Sequence, residues 1–308
     1  MTEKIVLGTR GSELARAQAR LVEKAIQAAW PDLKVEIKII ATKGDKTRSV
    51  DLRSGRKGLF TAEIERALLS GGVDIAVHSA KDLPSDTNPG AEIAAVLPRG
   101  PIDDVLISKQ PGGLAGLPEN ATVATGSVRR KHQLRRKRSD LTIVDLRGNV
   151  PTRLLKLAKN DWDAIVLARA GLERLGLSAA QGEINFENRK FFFEFLSNEI
   201  FLPAGGQGII ALQIRAEDES RRAVIDLIND HETLLCLRAE REFLRLLQGD
   251  CNSPVGVLAT IQNGMMHLRA QVFEDGSTLP RQGKVESDGD EGERLARELL
   301  RLLQGSGT

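Results

Sequence analysis

The run Val73-Asp74-Ile75-Ala76-Val77-His78-Ser79-Ala80-Lys81-Asp82-Leu83-Pro84 ends an apolar β-type segment on a lysine and a carboxylate. Pro84 cannot continue a hydrogen-bonded ladder, so the chain must turn at Asp82 and present it at the carboxyl end of a strand. That edge is where open α/β sheets bind ligands. A carboxylate there can face a developing cation or move a proton; the plain alternative is a solvated Lys–Asp surface pair. Cations recur at equivalent places. Arg10 and Ser12 follow a strand pattern over 4–9, and Ser12 is the natural N-cap of the helix after it. Free backbone N–H groups and a guanidinium then suit a carboxylate or phosphate, unless Ser12 only caps and Arg10 is solvated. Ser127, Arg129 and Arg130 repeat the arrangement after a strand over 122–125. Arg147 ends a strand over 141–146, and Arg153 stands in the helix start behind Pro151. Four arginines on one edge of a second sheet call for several anionic groups.

The two cysteines differ in setting. On a helical projection of 231–247, Cys236 falls in an apolar stripe with Leu235, Ala239, Phe243, Leu246 and Leu247, where a thiol packs as a small hydrophobe. Cys251 follows Gly249 and Asp250 beyond the helix end and precedes Pro254, so it belongs to a loop that can face a cleft. It is the thiol able to attack an electrophile.

These residues need alternating strands and helices to hold them. Apolar strand patterns at 4–9, 35–39, 73–77 and 92–97, with helices over 12–28 and 59–70, make a first β/α unit. Pro98-Arg99-Gly100-Pro101 reads as a hinge. A second unit follows with strands at 122–125, 141–146 and 163–168, and the strand at 209–214 reads as a return to the first sheet. From about 221 the pattern changes to two helices, antiparallel-type strands near 255–261, 266–273 and 283–286, and a closing helix over 292–303, an α+β arrangement. The expected domains are therefore 1–98 with 203–219, then 102–200, then 221–308. The polar, aperiodic stretch 42–58 is expected to be a lid or mobile binding loop. Segment 178–199 holds five of the nine phenylalanines and is expected to be helix or loop packing, or an oligomer contact.

Composition narrows the classes. A chain of 308 residues, 41% apolar and 28% charged, fits two or three soluble domains, and no apolar run approaches a membrane span. No signal-peptide pattern opens it, so a cytoplasmic location is expected. Two cysteines argue against a disulfide framework, and His78, His132, His231 and His267 show no metal spacing, so no metal is expected. The net charge is only +2, which leaves anion binding to local clusters. Arg129 to Arg138 carries seven Lys or Arg in ten positions, too many for one helix face, so part of it is a solvated surface. It lacks interleaved aromatics and the chain has no tyrosine, which disfavours nucleic acid as a partner. The glycines of Gly205-Gly206-Gln207-Gly208 lack a following Lys-Ser/Thr, against a P-loop.

Taken in order, Gly8-Thr9-Arg10-Gly11-Ser12, Lys57-Gly58-Leu59-Phe60, Asp74 to Ser79 with Lys81-Asp82-Leu83-Pro84, Gly126-Ser127-Val128-Arg129-Arg130, Leu146-Arg147-Gly148-Asn149 and Leu202-Pro203-Ala204 with Gly206-Gln207-Gly208 closely resemble the hydroxymethylbilane synthase (porphobilinogen deaminase) family over nearly the whole chain. The resemblance implies two periplasmic-binding-protein-like, doubly wound α/β domains and a small α+β C-terminal domain. It implies a transferase that condenses four porphobilinogen molecules onto a covalent dipyrromethane cofactor, loses ammonia and releases a linear tetrapyrrole. The cofactor would be joined through a thioether to Cys251, and Asp82 would be the catalytic carboxylate. Arg10, Ser12, Lys81, Thr125, Ser127, Arg129, Arg130, Arg147, Gly148 and Arg153 would bind cofactor and substrate, and Lys57 and Phe60 would belong to the lid and cleft. The partners implied are porphobilinogen and linear oligopyrroles, with no nucleic acid or membrane, and a monomer is expected. The chain departs from the family in three respects, one of them the small variants Ala80 and Gly205 within otherwise matching motifs. Asp250 stands where a glycine is usual and puts an anion next to the thiol. The segment 178–199 is longer than usual, and the substrate-binding arginine expected there has only Arg189 as a candidate. The rival reading is a non-enzymatic, two-lobed module that binds small anions, which would need neither Asp82 nor Cys251.

Overall fold

In the computed structural model, which describes residues 4–42, 61–86, 88–177, 182–248, 253–274, 277 and 279–305, the chain builds three sheets. The first has the order β2 (Lys34–Ile40), β1 (Lys4–Arg10), β3 (Ile75–Ser79), β11 (Ile210–Arg215), β4 (Ala91–Val96). β1 is parallel to both neighbours, and β11 runs antiparallel between β3 and β4. Ile5, Leu7, Ile75, Val77 and Leu212 pack against Val22 and Ile26 of α1 (Glu13–Ala29). The opposite face takes Ile64 and Leu68 of α2 (Ala62–Leu69) against Val73 and Ala76. Helices on both faces explain why β3 is apolar at successive positions instead of alternate ones.

The second sheet has the order β7 (Thr142–Val144), β6 (Thr122–Ala124), β8 (Ala164–Ala168), β5 (Asp104–Ser108), β10 (Arg189–Leu196), β9 (Glu183–Phe186), with α3 (Val128–Lys137), α4 (Val150–Lys159) and α5 (Arg169–Arg174) as its helices. The phenylalanine-rich segment corrects the expectation of helix or loop packing: it is a hairpin that widens this sheet, with β10 paired to β5. Glu187 at φ 47° and Asn188 at φ 59° form the consecutive left-handed pair that a two-residue hairpin turn of type I′ requires. Phe191 is buried, Phe193 packs on the same core, and exposed Phe195 lies 4.2 Å beneath the Arg169 guanidinium. Three consecutive phenylalanines put apolar groups on both faces, and the period-2 signal disappears.

Helix α6 (Glu219–Asp226) buries Ile225 in the core of the first sheet, and Trp30 Nε1 donates to the Val224 carbonyl at 3.2 Å. The third unit therefore begins after this helix and not at 221. Its antiparallel sheet, β12 (Val255–Gln262), β13 (Met265–Val272), β14 (Arg281–Asp288), is covered on one face by α7 (His231–Leu246) and α8 (Gly292–Gly305). Leu295, Ala296, Leu299 and Leu303 meet Phe243, Met266 and Leu268 there. Among the described residues no helix is long and apolar enough to cross a membrane.

Two crossovers join the first and second sheets, and they are tied to each other: Gly100 N–H donates to the Gly208 carbonyl at 3.0 Å. Gly208 has φ +87°, and a Cβ there would lie 2.5 Å from Gly100 O, so both the conformation and the close approach require glycine. Arg99, in the expected hinge, donates through Nε to Gln207 O at 3.0 Å and meets Glu240 Oε1 at 2.6 Å. Glu240, with no solvent exposure, also accepts from Gly206 N–H at 2.6 Å and Ala259 N–H at 2.8 Å. One carboxylate thus joins a crossover, the segment behind the Lys81–Asp82 turn and the third sheet. Glu240→Gln keeps the shape and leaves Arg99 as a nearly buried, unpaired charge. Breaking one side of a buried pair costs about 3–5 kcal/mol, so the denaturant midpoint should fall clearly; an unchanged midpoint would show that the junction does not depend on this charge.

Candidate active site

β3 ends at Ser79, and a single 3-10 turn, Ala80–Asp82, presents Lys81 and Asp82. Ala80 N–H donates to Ile209 O at 3.0 Å, and Leu83 N–H closes the turn on Ala80 O at 3.2 Å. Gly206, at φ +75°, backs the turn so closely that a Cβ would sit 2.9 Å from Lys81 N. From the third unit, Arg241 Nη2 donates to Pro84 O at 2.7 Å and to Ser85 O at 3.2 Å. The turn that carries the candidate acid is therefore held from two sides.

Arg10 and Ser12 reach the same edge from β1. Ser12 Oγ does cap α1, accepting from Ala15 N–H at 3.3 Å, and with Arg10, Gln18, Thr61, His78 and Asp82 it lines an open cavity of about 410 Å³, the solvent at its mouth included. On the second sheet, Ser127 Oγ caps α3 by accepting from Arg130 N–H at 3.4 Å, and Thr125 Oγ1 accepts from Ser127 N–H at 3.3 Å. Arg129 and Arg130 are buried, and both meet one carboxylate, Asp104: Arg129 Nη1 lies 2.9 Å from Oδ2 and Arg130 Nη2 2.7 Å from Oδ1. Gln207 Nε2 also donates to Oδ1, at 2.9 Å. Burial alone would raise the Asp104 pKa, but the two guanidiniums hold it well below the usual carboxylate range. Arg129 further donates to Leu202 O at 2.7 Å and to Gln133 Oε1 at 2.9 Å. Arg135 and Lys137, from the same basic run, are exposed, as a helix with too many charges for one face demands.

Arg147 and Arg153 close the edge. The Arg147 guanidinium lies against Gly126, where a Cβ would be 3.4 Å from Nη1. Gly148, at φ +116°, turns its carbonyl to accept from Arg153 Nε at 2.7 Å. Burial, with the Arg130 charge next, brings the Arg153 pKa down to about 10, Asp82 opposing and Arg147 adding to the fall. Lys81 is brought down to about 8 by burial and then by Arg130, with Asp82 and Asp104 opposing. Its Nζ donates to Gln207 Oε1 at 3.4 Å. A second open cavity, about 560 Å³ with the solvent at its mouth included, is lined by Lys81, Ser85, Ser127, Arg129, Arg241 and Ser253 among others, and so receives walls from all three units. The arrangement can bind several carboxylates and hold one catalytic carboxylate among them.

Cys251, Lys57 and Phe60 lie outside the described residues, as does the expected lid apart from buried Thr42. Ser253, two residues beyond Cys251, lines the larger cavity. Arg189 is not brought to the cleft: it sits exposed on the hairpin and donates to Ala158 O at 3.0 Å. Arg174 is instead the arginine at the crossovers, donating to Gly208 O, with a pKa lowered by burial to about 10. Sequence reasoning missed Asp104, Gln207 and Arg241. Asp104 had a signal, an acid directly before the apolar strand Val105 to Ile107, in a chain whose cations cluster on the next helix. Among the described residues no group of three or more His, Cys, Asp or Glu could hold a metal ion.

A family model described as "Porphobilinogen deaminase, dipyromethane cofactor binding domain" matches residues 5–223, and one described as "Porphobilinogen deaminase, C-terminal domain" matches 234–304. Similar proteins include the porphobilinogen deaminases of Syntrophomonas wolfei, 45% identical over 98% of this chain and 95% of theirs, and of Moorella thermoacetica, 44% identical over 96% and 93%. That of Deinococcus radiodurans is 43% identical over 96% and 95%. Among solved structures, the methionine-binding protein MetQ aligns over 75% of this chain and 92% of its own at 14% identity, with a TM-score of 0.44.

The buried imidazole on the smaller cavity makes stability depend on pH. Burial lowers the His78 pKa to about 4, Gln213 opposing and the Arg10 charge assisting. Unfolding returns it to about 6.5, so between these values the unfolded chain binds a proton that the folded chain does not. This contribution is complete above about pH 6.5 and is lost as pH falls toward 4. The gap in denaturant midpoint between the native chain and His78→Asn should therefore narrow from pH 7 to about pH 4.5. A gap independent of pH would contradict a neutral, buried His78.

Proposed function

The chain belongs to the porphobilinogen deaminase family, also called hydroxymethylbilane synthase, and from that premise we propose which of its residues carry the reaction. Its activity is that of a transferase that condenses four porphobilinogen molecules head to tail with loss of ammonia and releases the linear tetrapyrrole hydroxymethylbilane. The dipyrromethane cofactor of the matched domain, when bound, supplies the pyrrole carbon on which the chain starts.

The residues of the cleft fit such a group. Each ring of this chemistry carries an acetate and a propionate, and Lys81 and Arg153 have their cationic forms disfavoured by burial and by neighbouring arginines, a strain that ligand carboxylates would relieve. Cys251 would hold the cofactor through a thioether, and Lys81, Thr125, Ser127, Arg129, Arg130, Arg147, Gly148 and Arg153, with Arg10 and Ser12, would bind cofactor and substrate carboxylates. Guanidinium forks suit these planar anions. Lys57, Phe60 and the stretch 42–58 would close over them. Departure of ammonia from porphobilinogen leaves a cationic methylene-pyrrolenine. Asp82 would face that cation and accept the pyrrole proton released when the new bond forms.

The observation that carries this assignment is where Asp82 stands: the 3-10 turn after β3 sets it on the wall of the pocket that Arg10 and Ser12 also line, and its charge supports Lys81 beside it and Arg153 of the second unit. We infer a cytoplasmic monomer with no nucleic-acid or membrane partner. A net charge of +2 offers no broad field for a polyanion. An anion receptor would explain the arginines but would have no use for Asp82 or Cys251.

Asp82→Asn keeps the shape and removes the charge that faces the cation. Turnover should fall by about 10² to 10³ while the intact mass still shows the dipyrrole; near-normal steady-state turnover would end the assignment. The thiols give a second test. Cys236 is buried and its pKa is pushed up to about 12, by burial first and then by Glu240, so it is inert. Cys251→Ser should have plain polypeptide mass and no activity. Cys236→Ser should keep the adduct and lose about 1–3 kcal/mol of stability to the buried hydroxyl. An adduct mapped to Cys236 would overturn this mechanism.

A further inference from the structure

His78 is a polar group beside Asp82 that the mechanism above leaves idle. It stands on β3 directly before Ser79, is 5% exposed, and lines the 410 Å³ cavity together with Arg10, Ser12 and Asp82. Ala211 of β11 is its partner across the sheet, so Gln213, two residues on, is its diagonal neighbour on the same face. Gln213 Nε2 donates to Glu65 Oε2 at 3.4 Å, which commits the amide nitrogen. Gln213 Oε1 and His78 Nε2 are both sealed from solvent, and neither reaches a partner at full bonding distance. Gln213 nevertheless raises the imidazole pKa, the mark of an acceptor beside a ring N–H. A neutral imidazole that turns its one N–H toward Gln213 keeps a lone pair on the other ring nitrogen.

We propose that His78 recognises the primary ammonium of the incoming porphobilinogen, its neutral imidazole accepting a hydrogen bond from the aminomethyl nitrogen in the cavity it shares with Asp82. This rests on the assignment of Asp82 as the acid of the condensation. The reaction needs such an acceptor. The carbon–nitrogen bond breaks with its electron pair going to nitrogen, so the ammonium departs as neutral ammonia and the positive charge passes to the methylene-pyrrolenine. A base strong enough to remove the ammonium proton first would leave an amine that could depart only as amide ion. His78 is a weak base in its buried setting beside Arg10, so it accepts the hydrogen bond without taking the proton. Arg10 and Ser12 suit the carboxylates of the same ring, so one cavity offers a complement to both ends of the substrate.

The test compares two constants in the holoenzyme: KM for porphobilinogen, and the inhibition constant of a pyrrole with the same acetate and propionate but hydrogen in place of the aminomethyl group. A hydrogen bond to a charged group corresponds to roughly ten- to hundredfold in affinity. His78→Leu should raise KM by about tenfold or more and leave the inhibition constant where it is, and His78→Asn, which retains an acceptor, should recover part of the loss. A KM that does not move, or two constants that rise together, overturns the inference. If the leucine variant does not fold, the same split in the asparagine variant decides. A native enzyme that forms no linear tetrapyrrole would overturn the underlying assignment instead.

Discussion

Glu240 has no contact with solvent and takes its partners from three parts of the fold: Arg99 in a crossover, Gly206 behind the Asp82 turn, and Ala259 in the third sheet. An ionised carboxylate tolerates such burial only when it is paired and its oxygens are bonded. The three partners must therefore arrive together, and each fixes something further. Arg99 brings the crossovers, Ala259 brings β12, and Gly206 brings a backbone with no room for a side chain against Lys81. The position of the Lys81–Asp82 turn follows from where the three units meet.

Asp104 does for the cations what Glu240 does for the architecture. Two adjacent buried arginines would repel each other and pay heavily for lost hydration. One carboxylate between them makes both tolerable and still leaves the pair with a net positive charge. Gln207 bonds Asp104 through its amide nitrogen and Lys81 through its amide oxygen, so the neutralising acid of one wall is linked to the lysine of the other. The cleft is positive because its own carboxylates are outnumbered, whereas the chain as a whole is nearly neutral.

Much of this was legible in the sequence, for reasons that separate local from long-range information. The strand ends, the caps at Ser12 and Ser127, and the turn forced by Pro84 are decided by neighbours a few residues away, so Asp82, Arg10 and the arginines could be placed on sheet edges before any fold was seen. Asp104 was marked only by its place directly before an apolar strand, which does not say that Arg129 and Arg130 of a different element will be its partners. The hairpin at 183–196 was hidden by apolar residues on both faces of β10. A helix was expected from about 221, but a helical pattern does not say which sheet will cover it, and α6 packs on the first. Arg189 failed because an arginine close in sequence to the cleft lies on a strand that leads away from it.

The order of strands in the first sheet has a consequence for how the chain comes off the ribosome. Among the described residues β4 pairs only with β11, and β11 is made after the entire second sheet. Until then β4 has no place in the sheet, and β3 shows one unpaired edge. The second unit, by contrast, is continuous in sequence and closes all its strand pairs as it emerges. The nascent chain thus carries an unfinished first sheet while its inserted neighbour matures, a long-range pairing of the kind that slows folding and leaves strand edges open to aggregation. The Lys81–Asp82 turn, which hangs on β3 and is bonded to Ile209, takes shape only when that late strand arrives.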